Sequence, residues 1–149
     1  MLVQTKNWGS LEVPEEMLIK IPEGLFGFEE YTRFAVIKSQ YAPFIWLQSC
    51  EETALAFLAV DPFLVCRDYE PDIDDSELSK IEIHEPSDVE LIALVTVPLD
   101  GKPITANLLG PIVVNKKNRN AIQVVLNDSR WEVKHDIVAA IKNQGEKKC

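Results

Sequence analysis

The side chains able to do chemistry in this chain are few and scattered. Its two histidines, His84 and His135, have no second histidine or cysteine at metal-ligand spacing. Isolated imidazoles of this kind read as surface or hydrogen-bonded structural groups. Cys50, Cys66 and Cys149 are an odd number with no ligand spacing. Cys50 and Cys66 read as small buried hydrophobes and Cys149 as a bystander. Gly24-Leu25-Phe26-Gly27-Phe28 lacks the Gly-Lys-Ser/Thr ending of a phosphate loop, and no Gly-x-Ser-x-Gly elbow exists. What remains is a run of carboxylates. Between 68 and 90 stand Asp68, Glu70, Asp72, Asp74, Asp75, Glu77, Glu82, Glu85, Asp88 and Glu90 against one base, Lys80. Their spacing does not match the helix-loop-helix calcium motif, and the segment lacks glycine. They read as a solvated acidic face or, alternatively, as a surface for a partner. The sequence therefore resembles a binding module more than an enzyme, with no metal and no cofactor expected.

The bulk composition narrows the partner. The chain has 149 residues and a net charge of -9, with 46% hydrophobic and 26% charged residues. That length supports one domain burying about 70% of the surface its unfolded chain exposes. The charge argues against nucleic acid as a direct ligand, since phosphate binding draws on Lys and Arg. It favours encounter with basic proteins instead. Residues 1–10 do not read as a signal peptide, and no apolar run approaches a bilayer span. With reduced thiols, these features point to the cytoplasm.

The elements that must position this face are mostly strands. Residues 2–5 and 11–13 alternate around Trp8-Gly9-Ser10 and predict a hairpin, and 17–21 predicts another short strand. Pro22-Glu23-Gly24 is a tight turn suited to positive φ at Gly24. Strands are expected at 33–37, 44–49, 55–60, 89–97 and 121–126. A helix fits 54–60 nearly as well by periodicity, but the run is short and closed by proline. Asp74 or Asp75 can cap a short helix through Lys80, with Ile81-Glu82-Ile83 as an edge strand after it. Residues 104–115 read as two short core strands joined at Gly110-Pro111, in which Thr105 and Asn107 satisfy local backbone. Residues 131–141 form a final strand or short helix. The fold class is all-β: a small antiparallel β-barrel-like domain over 1–143 with one or two short helices, then a disordered tail, 144–149.

Five segments in register carry a resemblance. They are Pro22-Glu23-Gly24-Leu25-Phe26-Gly27-Phe28-Glu29; Phe44-Ile45-Trp46-Leu47-Gln48-Ser49; Phe57 with Val60-Asp61-Pro62; Ile104-Thr105-Ala106-Asn107-Leu108 with Gly110-Pro111-Ile112-Val113-Val114-Asn115; and Gln123-Val124-Val125-Leu126. In this order and spacing the chain resembles the flagellar assembly factor FliW family over about residues 3–131. Residues 134–149 have no match. Within these segments Gly24, Gly27, Phe28, Gln48, Ser49, Asp61, Pro62, Thr105, Asn107, Pro111 and Gln123 are taken as signature positions with structural roles. The resemblance implies a cytoplasmic, non-enzymatic, chaperone-like protein with two mutually exclusive partners. One is flagellin; the other is CsrA, an RNA-binding regulator that represses flagellin translation. Capture of CsrA by the freed factor, from beside the RNA site, lifts the repression. Asp72, Asp74, Asp75 and Glu77 are the residues expected to meet a partner. No direct nucleic-acid or membrane contact is expected, and the free protein is expected to be monomeric. A flavin-binding split barrel is the alternative, weakened because only Lys116, Lys117 and Arg119 come near a phosphate-binding cluster. A purely structural scaffold is the third reading.

Overall fold

The strand-forming runs assemble, in a computed structural model describing residues 1–138, into one large antiparallel sheet and a small hairpin. The hairpin is β1 (Leu2–Thr5) and β2 (Gly9–Glu12). The large sheet contains β3 (Leu18–Lys20), β4 (Arg33–Lys38), β5 (Ile45–Ser49), β6 (Ala56–Val60), β7 (Val89–Thr96), β9 (Ile112–Asn115) and β10 (Ala121–Gln123). Its order is β10-β9-β7-β6-β5-β4-β3. Two short strands, β8 (Thr105–Ala106) and β11 (His135–Asp136), extend from the far end of β7. Two short helices, α1 (Pro62–Val65) and α2 (Asp75–Lys80), lie between β6 and β7. The all-β expectation is borne out.

The sheet curls until its edges meet. Lys20 on β3 bridges Asn120, the residue before β10, and the Lys20 N–H donates to the Arg119 carbonyl at 3.0 Å. Arg119 sits at φ 61. Its Nε donates to the Leu18 carbonyl at 3.4 Å, and its Nη1 approaches Glu90 Oε2 at 3.5 Å. The closure is thus a single bridge rather than a full ladder, so the architecture is barrel-like and not a closed barrel.

The centre of the sheet is apolar on both faces, which is why 89–96 reads as a nearly unbroken hydrophobic run. Successive strand residues point to opposite faces. Ile92 and Leu94 pack with Phe34, Leu47 and Ile112 inside the curl. Leu91 and Ala93 pack on the other face, with Tyr69, Ile81, Leu108, Trp131 and Ile137. The segment between β6 and β7 therefore has two jobs. Its apolar residues roof the outer face, and most of its carboxylates are left to solvent.

Three expectations need correction. Ile81-Glu82-Ile83 is no edge strand. It is the turn leaving α2, with Glu82 at φ 60 and the Ile83 N–H returning to the Leu78 carbonyl at 3.0 Å. Both isoleucines are buried because the turn brings them to one core, which imitates a strand's alternation. Secondly, β10 ends at Gln123. Beyond it the chain stays bonded through Val124 N–H to Pro111 O and Leu126 N–H to Leu109 O, with no ladder. Lastly, the strand expected from 17 starts at Leu18, after a single helical turn at Glu15–Met17. The expected tail, 144–149, and the end of the 131–141 element lie outside the described residues.

Candidate partner-binding surface

The four carboxylates singled out from sequence all belong to the segment that roofs the sheet. Asp74 holds the N-cap position of α2 without using its side chain as a cap, so the carboxylate is exposed. Asp75 and Glu77 occupy the first turn, where the aligned backbone N–H groups tolerate negative charge. Asp72 precedes them, exposed. Between these acids Ile73 and Leu78 pack inward. Lys80 closes the helix, 3.4 Å from Glu77 and 3.7 Å from Glu23. Exposed pairs like these contribute at most about 1 kcal/mol each.

The stronger hold on this segment comes from behind. Asn115, buried at the end of β9, donates from Nδ2 to the Ile81 carbonyl at 2.8 Å and accepts at Oδ1 from the Lys117 N–H at 2.8 Å. Asn118 adds a bond from Nδ2 to Glu82 Oε2 at 3.0 Å. Tyr69, buried, donates its hydroxyl to the Leu108 carbonyl at 2.6 Å. Burial pushes its phenol far above the ordinary value.

Two clefts flank this wall. The first, about 300 Å³, lies between Asp72, Asp74 and Glu77 on one side and residues 123–127 on the other, with Phe26 at its end. Phe26 and Val125 are both more than half exposed there. The second, about 650 Å³, runs between α1 and α2 over β7 and takes in Phe63, Asp72, Asp75 and Leu78. Asp72 and Ile73 line both, so the wall is thin.

The signature positions sit mainly around two other junctions. At one, Gln123 accepts from the Phe26 N–H at 2.9 Å and donates to the Gly110 carbonyl at 3.0 Å. Asn107 Oδ1 receives the Gly110 N–H at 2.8 Å, and Pro111 follows within the same bend. Gly24 and Gly27 both take positive φ in the adjoining loop, and Phe28 stands edge-on to Phe57 at 5.1 Å. At the other junction, Gln48 Oε1 accepts from the Lys6 N–H at 2.8 Å. Its Nε2 lies 3.0 Å from the Thr53 carbonyl and 3.1 Å from that of Leu55. Ser49 Oγ accepts the N–H groups of Glu51 and Glu52. Asp61 caps α1 through the Phe63 N–H at 2.9 Å, with Pro62 at its first position. Thr105 is half-buried on β8. Gln123, alone among these residues, also lines the first cleft beside the acids.

Sequence reasoning did not single out Asn115, Asn118, Phe26 or Phe63. Asn115 had a signal: an amide closing the otherwise apolar run Ile112-Val113-Val114 needs buried partners. Among the described residues, no three His, Cys, Asp or Glu side chains gather as a metal site. No helix among them is long and apolar enough to cross a membrane. Burial pushes the Cys50 thiol up, which disfavours the thiolate a nucleophile needs.

A family model described as FliW protein matches residues 2–137. The chain belongs to the FliW family. A protein of Treponema denticola named flagellar assembly factor FliW is 48% identical over 145 residues, spanning 97% of this chain and 99% of that one. Its namesake in Treponema pallidum is 48% identical over 150 residues, spanning all of both chains. A crystal structure described as the flagellar assembly factor FliW superposes with a TM-score of 0.82 at 34% identity, covering 92% of this chain and 96% of that one. The FliW match thus reaches past residue 131, where the motif resemblance ends, through β11.

Proposed function

We propose that this FliW family member is a non-enzymatic, cytoplasmic flagellar assembly factor with flagellin and CsrA as alternative partners. Bound flagellin keeps it occupied; once flagellin leaves by export, the free protein captures CsrA and relieves repression of flagellin synthesis. The observation carrying this reading is full-length similarity to proteins named flagellar assembly factor FliW. The acidic wall supports it physically. CsrA binds RNA and so must present positive charge, and an acidic protein speeds encounter with such a surface while repelling RNA itself. In this reading Asp72, Asp74, Asp75 and Glu77 meet the basic partner. Steric overlap at the thin wall gives mutual exclusion, and RNA is displaced from beside its site rather than by competition for it.

The test is size-exclusion chromatography with purified flagellin and CsrA, separately and together. The expected result is one complex with each and no ternary complex. Recovery of neither complex overturns the proposal. Calorimetry with CsrA at two salt concentrations then tests the acids. Reversing Asp72, Asp74, Asp75 and Glu77 to Lys is expected to lower affinity at least tenfold and flatten the salt dependence. Unchanged affinity with unchanged salt dependence removes the electrostatic part.

A further inference from the structure

The larger of the two clefts is apolar at its floor and acidic at its rim. Val89 and Leu91, two residues apart on β7, present one face of the sheet. Ile73 and Leu78 form one side, and Phe63, 43% exposed, forms the other. Asp72, Asp75 and Glu85 stand on the lip, and no lysine or arginine lines the cleft. None of these three carboxylates is in an ion pair among the described residues. An exposed phenylalanine beside a grooved apolar floor, with unneutralised negative charge around it, calls for an apolar ridge flanked by cations.

The backbone decides the shape of that ridge. Residues 89–92 are laddered to β9 along one edge, and what they present to the cleft are the side chains of Val89 and Leu91. The smaller cleft is different: its 124–126 wall is tied through Val124 and Leu126 to 109–111 and would suit an added strand. We infer that the α1–α2 cleft is a docking site for the apolar face of an amphipathic helix in a partner protein, with Lys or Arg flanking that face. This deepens the proposed function and rests on it for the partner's identity, though not for the chemistry. Apolar anchors at i, i+3, i+4 and i+7 fill the floor, and the flanking cations reach Asp72, Asp75 and Glu85.

The probe is a short synthetic peptide of Leu and Lys at helical spacing, followed by fluorescence anisotropy. One control has the same composition with Leu and Lys alternating, and a second replaces every Lys by Glu. The helical peptide is expected to bind at least about tenfold more tightly than either control. Phe63→Asp is expected to weaken it about tenfold or more, and Asp75→Lys several-fold, while Phe26→Asp in the other cleft leaves it unchanged. Thermal unfolding checks that each variant is folded; Asp75→Lys, at an exposed position, keeps the test alive if Phe63→Asp is not. Equal binding of the alternating peptide, tight binding of the Glu peptide, dependence on Phe26 instead of Phe63, or no binding at all overturns the inference. Flagellin and CsrA are measured on the same variants. Partner binding indifferent to Phe63 and Asp75 removes this inference and leaves the proposed function. Peptide binding with neither partner bound removes the function and leaves the cleft.

Discussion

The Gln123 junction and the acidic wall rest on the same sheet and are attached to it by opposite means. At the junction, the Gln123 side-chain amide joins the backbone of Phe26 to that of Gly110, while Asn107 fixes the Gly110 bend locally. In the wall the exposed carboxylates turn outward, and the segment is held by Asn115 and Asn118, at and just beyond the end of β9, and by its own buried Tyr69, which reaches the Leu108 carbonyl. The first arrangement makes the frame rigid at the cost of sequence freedom. The second leaves outward residues such as Asp72, Asp74 and Asp75 free to vary, since their side chains do not hold the fold. Residues that identify the family and residues that meet a partner are therefore expected to be largely different sets.

The sharpest way to break this contrast is at Gly24. A Cβ there would lie 2.4 Å from Glu29 Cα, at φ +70. Gly24→Ala is expected to cost at least about 2 kcal/mol, read by denaturant unfolding. Gly27, at φ +87 with open space around it, provides the control: Gly27→Ala meets only the left-handed backbone cost of about 1 kcal/mol. Next comes the support behind the wall. Asn115→Leu strips the Ile81 carbonyl of its buried donor and is expected to cost about 1–3 kcal/mol. Hydrogen exchange should rise selectively around 78–83, and CsrA affinity should fall with it. Gln48→Leu is expected to cost a similar amount without changing exchange in the wall. If both variants loosen the wall equally, the two regions are not separable.

Tyr69 gives a pH-dependent version. Its phenol is held protonated in the folded chain above its ordinary value of 10.0, while the unfolded chain ionises near that value. The folded form thus binds more protons at high pH. The stability from Tyr69 is fully present below pH 10 and falls as pH rises past it, by up to about 1.4 kcal/mol per pH unit. Tyr69→Phe should flatten that limb in unfolding midpoints measured up the alkaline range. The smallest effect belongs to the acids: reversing Asp72, Asp74, Asp75 and Glu77 together is expected to change stability by about 0.5 kcal/mol or less per site. A large loss there would mean that the wall carries the fold after all.

Local chemistry made the strands and α2 legible, and distance hid the rest. The β-branched runs at β7 and β9 and the Asp-rich start and Lys80 end of α2 act over a few residues, so they can be read directly. Ile81 and Ile83 misled because a left-handed turn and a strand both place residues i and i+2 toward one core. The wall's acids stood out by composition alone. Its anchors did not, because Asn115 meets Ile81 only after the chain has gone out along β7 and returned. Phe26 and Phe63 gave no sign of their exposure in sequence, and only the folded chain leaves them about half exposed.

The seam has a consequence for how copies of this chain behave toward one another. β3 lies at the edge of the sheet, where unpaired backbone groups would invite a stranger's strand. Its groups facing away from β4 are already engaged: the Leu18 N–H by the Glu15 carbonyl, the Leu18 carbonyl by Arg119 Nε, and the Lys20 N–H by the Arg119 carbonyl. One arginine, held in a left-handed turn, thus acts as gatekeeper against edge-to-edge aggregation.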